Sequence, residues 1–343
     1  MTASTLRQKV RTSTGRGSPA SPAAGAVPVS SLDQDRPAAI AATRVSRANL
    51  VLGGFGVASA IFVIARLFET WSVSSRLTHH VSIFGQRLSY PTANVEAIVI
   101  MLLAAVGAMV TVLTLGGAVR ELQASQRFQR RLAGQSPQPL HGALLIADMQ
   151  PRAFCAGLWR PRVYVSTGAL AILDDAALEA VLAHERHHAH RHDPLRLAAG
   201  RVLARALFFL PGLGELVERQ RALAELSADE SAVNAAPAHR SALARAMLSF
   251  SDAPVSAGTT GIDPARVDYL LGEAPSWQFP ALICLAAASI ILLLVAVAVL
   301  AGRLASGSAT LGLPFLSGQP CIVVLAAIPA VLVTLPATYR RRS

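Results

Sequence analysis

The sequence predicts a mainly α-helical integral membrane protein carrying one small α+β domain on its cytoplasmic side. Three observations predict it. Hydrophobic residues make up 52% of the chain's 343 and charged residues only 15%, which is too apolar for an ordinary soluble domain. The apolar residues gather into four runs of roughly spanning length, with arginines banked at their ends. Between the second and third runs lies a more polar stretch, in which short alternating segments precede two helical patterns.

In chain order, residues 1–48 are rich in Ala, Ser, Thr, Pro and Arg, with little to bury, and read as a disordered basic tail. No early apolar core of a secretory signal is present, so a cleaved leader is not expected. Residues 49–119 hold the first two spans. Leu50–Ala65 runs on to Phe68, with Arg66 close enough to the end to snorkel, and Ala97–Val119 is uncharged throughout. The polar connection Glu69–Asn94 joins them on the outer side. Residues 120–277 form the domain. Residues 278–338 hold the third and fourth spans, Phe279–Gly302 and Cys321–Ala337, the latter containing Pro329 and Pro336. Residues 339–343 are a basic cytoplasmic tail.

Orientation follows from the arginines. The net charge is +11, and Lys9 is the single lysine. Arg36, Arg44 and Arg47 precede the first span; Arg120, Arg127, Arg130 and Arg131 follow the second; Arg340, Arg341 and Arg342 close the chain. The outer connections carry only Arg76, Arg87 and Arg303, so both termini and the domain belong in the cytoplasm. Basic residues flank apolar runs and do not alternate with aromatics on a polar surface; direct nucleic-acid binding is not expected. The cysteines, Cys155, Cys284 and Cys321, are odd in number and two lie in apolar runs, which argues against a disulfide framework. Leu195–Leu216 is apolar but carries Arg196, Arg201, Arg205 and Pro211. As a fifth span it would send the terminal arginines outside, so it reads as a helix at the interface or packed on the bundle, with a buried re-entrant pair as the alternative.

Within the domain, Ala143–Ile146, Ala153–Cys155 and Arg162–Ser166 read as short strands. Asp174 or Asp175 caps a helix that Asp193-Pro194 stops, and a second helix covers Glu218–Asn234. The first of these helices contains His184-Glu185-Arg186-His187-His188, an H-E-x-x-H motif. At 3.6 residues per turn His184 and His188 project about 40° apart, so two imidazoles converge on one point. Glu185, about 100° round the turn, can reach a water held there without itself being a ligand. That is the chemistry of a zinc hydrolase: Zn²⁺ brings the pKa of its water to about 7 and a carboxylate takes the proton.

Such a site needs a third protein ligand. Glu225, on the second helix, is the best candidate, and Asp229, one turn on, can accept a hydrogen bond from a ligand imidazole. The alternative for this pair is two solvated helix charges. His187, His190 and His192 on the motif helix read as solvent-facing or headgroup-contacting, and His79 and His80 as ordinary loop residues.

The stretches AFCAGLWRPRVYVSTGAL, LEAVLAHERHHAHRHDPL, RALFFLP and RALAELSADESAV resemble the zinc-peptidase domain of the BlaR/MecR-type membrane metallopeptidases, the beta-lactam sensor-transducer family. More distantly they are similar to the HtpX and CAAX-processing membrane peptidases. The resemblance implies a zincin-like metallopeptidase domain in which His184, His188 and Glu225 bind one zinc, Glu185 is catalytic and Asp229 supports a ligand. It also implies that Arg162, Val163, Tyr164, Val165 and Ser166 form the edge strand against which substrate lies. Sensor members of that family carry an extracellular penicillin-binding domain with a Ser-x-x-Lys serine. No lysine follows Lys9 here, so direct beta-lactam sensing by this polypeptide is not expected.

The expected protein is therefore a multi-pass membrane zinc endopeptidase cleaving a protein or peptide at the cytoplasmic face, by family resemblance a transcriptional repressor. Quality control of membrane proteins, as in the HtpX type, is the alternative substrate class. A non-catalytic zinc-binding receptor has no use for Glu185, and a metal transporter would need ionisable residues inside the spans, which are almost absent.

Overall fold

The computed structural model describes residues 37–72, 80–83, 86–89, 92–93, 95–252, 264–271, 279–305 and 307–308. The helices are α1 (Pro37–Thr70), α2 (Val95–Gly134), α3 (Thr167–Ile172), α4 (Asp175–Arg191), α5 (Asp193–Ala206), α6 (Leu213–Ala235), α7 (His239–Asp252), α8 (Pro264–Leu271) and α9 (Ala281–Leu304). Strands β1 (Trp71–Ser72), β2 (His80–Ile83), β3 (Gln86–Ser89) and β4 (Thr92–Ala93) lie between α1 and α2. The domain contributes β5 (Gln138–Leu140), β6 (Ala143–Ile146), β7 (Ala153–Ala156) and β8 (Arg162–Ser166), and β9 (Gly307–Ser308) follows α9.

Among the described residues three helices, α1, α2 and α9, are long and apolar enough to cross a membrane. The fourth expected run, Cys321–Ala337, and the closing arginines lie outside the described residues. The three helices meet through small side chains: Ala104, Ala298 and Ala301 pack with Val63, Leu67 and Ile100. A Cβ on Gly107 would stand 2.6 Å from the carbonyl oxygen of Ala60, so only glycine permits that crossing.

Both long helices outrun their apolar cores. A 40-residue α2 is about 60 Å long, twice the hydrocarbon thickness of a bilayer. It passes without a break from the apolar run into the arginine-rich segment, where Leu132 packs under the domain's sheet. Helix α1 begins at Pro37, well inside the segment expected as tail. Ala41, Ala42 and Val45 bury against Leu216 and Leu223 of α6. Asn49, fully buried, donates to Gln220 Oε1 at 3.0 Å, and Arg191 at the end of α4 donates to Thr43 Oγ1 at 2.8 Å.

The stretch Leu195–Leu216 forms α5, a turn, and the start of α6, and it is not among the span-like helices. Its turn is packed into the bundle: Leu207, Leu210 and Leu213 bury with Val110, Ala287 and Ile291. Gly212 adopts φ +80°, and a Cβ there would meet Ile283 Cγ2 at 1.8 Å. Arg201 turns back to Glu121 of α2, with its two nitrogens 3.3 and 3.1 Å from the carboxylate oxygens. This tip is thus packed on the bundle of long apolar helices.

The domain's sheet has the order β5-β6-β8-β7, with β6 parallel to β8 and the other pairs antiparallel. Val163 and Val165 face Leu182 of α4, while Tyr164 faces Leu132 and Ile146 on the α2 side. This overturns one expectation. Strand β8, Arg162–Ser166, is bonded on both sides and is not an edge. The free edge beside α4 is β7, which pairs only with β8 among the described residues, Ala156 opposite Arg162 and Ala153 opposite Val165. The intervening turn is short enough to fold β7 back antiparallel along the outer side of β8 and so cover it.

Candidate metal centre

Helix α4 starts where the sequence places it. Asp174 Oδ1 accepts the Ala177 N–H at 2.7 Å, and Asp175 occupies the first turn. It ends at Arg191, with His192 left-handed at φ 55° and Pro194 opening α5. Val181 and Leu182 hold one face in the core. The same buried side of the helix brings His184 and His188 together, their Nε2 atoms 3.2 Å apart.

Helix α6 returns Glu225 to that pair. Its Oε2 is 3.4 Å from His184 Nε2 and its Oε1 is 3.7 Å from His188 Nε2. One donor atom from each of the three lies within 4.8 Å of the others, a set able to hold a metal ion. The donor chemistry fits zinc, two neutral imidazoles and a carboxylate with room for a fourth ligand. Each imidazole is held from behind by a carboxylate. His184 Nδ1 is 2.8 Å from Asp229 Oδ1, and His188 Nδ1 is 2.9 Å from Asp193 Oδ2. With Nδ1 so engaged, the Nε2 lone pairs of both rings are turned to the shared point. Asp229 was expected in this role; Asp193 was read only as a helix stop. Its place five residues past the second histidine, just beyond the helix end, is the signal that marks it.

The electrostatics agree. Among the protein groups alone, burial pulls His184 down, yet the Asp229 and Glu225 carboxylates outweigh it and raise the imidazole to about 9. Burial likewise opposes His188, but Asp193 and Glu225 raise it to about 10. Burial pushes Glu225 up, and the two histidines override it to hold the carboxyl well below the usual carboxylate range. The carboxylates thus favour protons on this pair of imidazoles, and a metal bound there competes with those protons.

Arg266, on α8, was not found by sequence reasoning. It donates from Nε to Asp229 Oδ2 at 2.7 Å and from Nη2 to Oδ1 at 2.8 Å, while Nη1 lies 3.1 Å from Glu225 Oε2. One guanidinium thus orients the outer carboxylate and the candidate ligand together. Asp229 is 0% exposed. Arg266→Ala would leave it with His184 as its remaining close partner and should lower stability by about 3 kcal/mol. Thermal unfolding in detergent reads this, with Arg266→Lys recovering part of the loss; an unchanged midpoint in Arg266→Ala would show the clamp carries no load.

His187 corrects another expectation. It is buried, not solvent-facing, and its Nε2 sits 2.9 Å from Ser227 Oγ, tying α4 to α6 one turn from the metal ligands. His190 and His192 are exposed, as expected.

Glu185 opens onto a cleft of about 470 Å³ together with His188 and Glu225. Phe154, Cys155 and Ala156 of the free edge strand form its wall. Burial, then Glu185 and Asp193, push the Cys155 thiol up to about 12. The cleft therefore offers two of the three candidate ligands, His188 and Glu225, a carboxylate outside that set, and a strand edge with no further strand on it among the described residues.

The family model described as BlaR1 peptidase M56 matches residues 56–262, more than half of the chain. No curated protein and no solved structure matches. The matched stretch contains α1 from Gly56 onward, all of α2, the four-stranded sheet, the H-E-x-x-H helix, and Glu225 and Asp229 of α6. This chain belongs to the BlaR1 peptidase family, M56, of membrane metallopeptidases.

Proposed function

We propose that the protein is a zinc endopeptidase that hydrolyses a polypeptide at the cytoplasmic face of the membrane, in the regulated removal of a transcriptional repressor. One observation carries the hydrolase reading: His184, His188 and Glu225 converge within 4.8 Å, and two of them, His188 and Glu225, line a cleft together with Glu185. The arginine asymmetry of the sequence supports the cytoplasmic side.

His184, His188 and Glu225 would hold the zinc, with Asp229 and Asp193 keeping the imidazoles in the ligating tautomer. Bound there, zinc supplies Lewis acidity toward the scissile carbonyl and its water. The free edge of β7 receives the substrate backbone as an added strand, which sets the scissile carbonyl over α4. Glu185 accepts the proton of the attacking water and delivers it to the leaving amine.

The test is metal binding and cleavage by the full-length protein in detergent. One zinc per chain is expected, with chelation abolishing cleavage of a peptide library. Because the carboxylates raise the imidazoles to about 9 and about 10, the site holds a proton at neutral pH, and zinc affinity should climb about tenfold per pH unit as that proton becomes easier to displace. Affinity independent of pH, or a metal-loaded protein inert toward every peptide, would defeat the reading.

A further inference from the structure

The turn from β7 to β8 reads Gly157-Leu158-Trp159-Arg160-Pro161-Arg162, and nothing in the catalytic reading uses its two arginines. A groove of about 610 Å³ runs between this turn and α2, lined by Trp159, Arg160, Arg162, Gln126 and Gln129. It shares Ser125 and Leu158 with the catalytic cleft, so the two adjoin. Their charges are opposite. The catalytic end holds Glu121, Glu185, Asp193 and Glu225, whereas the far groove has two arginines and no carboxylate in its wall. Trp159 is 71% exposed, and Arg160 and Arg162 are exposed as well. Neither arginine makes an ion pair with a described residue, unlike Arg201, Arg219, Arg245 and Arg266.

Register places this charge on the path of a substrate. Arg162 is the partner of Ala156, the last residue of the free edge, and Arg160 lies in the turn just beyond. A chain paired along β7 runs at that end into the basic groove. Arginines with no ion-pair partner among the described residues, in a groove adjoining the catalytic cleft, are placed to meet a carboxylate by charge-assisted hydrogen bonds. Gln126 and Gln129 add amide donors and acceptors suited to a peptide backbone.

Resting on the peptidase reading, we propose that Arg160 and Arg162 form a specificity subsite that takes an aspartate or glutamate side chain of the substrate polypeptide, a few residues from the scissile bond. The groove then selects against basic segments at this position by repulsion as well as for acidic ones by attraction.

The experiment compares wild type with the Arg160→Glu/Arg162→Glu double variant, both full-length in detergent, on a peptide library whose cleaved bonds are read by mass spectrometry. Wild type should favour Asp or Glu at one fixed position by about tenfold over the Gln equivalents, and the double variant should invert that preference toward Lys and Arg. Equal turnover of acidic and Gln peptides by wild type overturns the proposal, and that arm requires no variant to fold. So does an unchanged profile in the variant. Competition by anionic phospholipid vesicles, with no acidic preference among peptides, would assign the arginines to headgroups and likewise overturn it. Fluorescence anisotropy of the same peptides on the Glu185→Gln protein reads the preference without turnover. Failure of cleavage alone would therefore count against the peptidase reading and leave the subsite measurement standing.

Discussion

Glu185→Gln should lower peptide hydrolysis by about 10²–10⁴-fold while the protein still binds one zinc. The expectation follows from where Glu185 stands. It neighbours His184 in sequence, yet it is outside the three-atom cluster that would hold the metal and instead lines the cleft beside His188 and Glu225. Glutamine keeps the size and removes the basic oxygen, so proton transfer fails and ligation does not. Zinc content and turnover measured on the same preparation separate the two. Turnover within a few fold of wild type would mean that another group takes the water's proton. The same variant, expressed in membranes, should retain its substrate, and identification of a DNA-binding repressor in the trapped complex would support the regulatory role.

Glu225→Ala should cost zinc affinity more than the roughly 10–100-fold typical of removing an outer hydrogen-bond partner. Two imidazoles from one helix remain, and the third corner of the site opens. The fold has little reason to follow, since the Glu225 side chain is 34% exposed and the pairing of Arg266 with Asp229 does not depend on it. Competition against a chelator of known affinity measures the loss, and circular dichroism checks the helices. Affinity near wild type would show that Glu225 is a neighbour of the metal and no more, and the ligand set would have to be redrawn.

The local features of the site were legible because their signals are local. Asp174 as cap, Asp193-Pro194 as stop and the i,i+4 histidines each depend on a handful of residues and on helical geometry alone. Strands β6 and β8 were placed correctly because short apolar runs bounded by turn residues mark strands, and in β8 Val163 and Val165 alternate with Tyr164. Long-range partners were not legible. Arg266 belongs to an eight-residue helix far along the chain, and no pattern around it indicates a carboxylate to be met. The opening of α1 was not legible because its composition is that of a tail; Ala41, Ala42 and Val45 become core because α6 lies against them.

What the sequence alone determined is the chemistry available: two imidazoles on one helical face with a carboxylate about 100° round the same turn, apolar runs long enough to span, and an acidic pair one turn apart downstream. These follow from side-chain type and from backbone periodicity, which act over a few residues. Only the tertiary structure decided which strand keeps a free edge, that His187 is buried on Ser227, and that one guanidinium binds both Asp229 and Glu225. Those outcomes depend on which distant elements come to share a surface, through the burial of apolar area by the whole chain at once, and no window of sequence contains that sum.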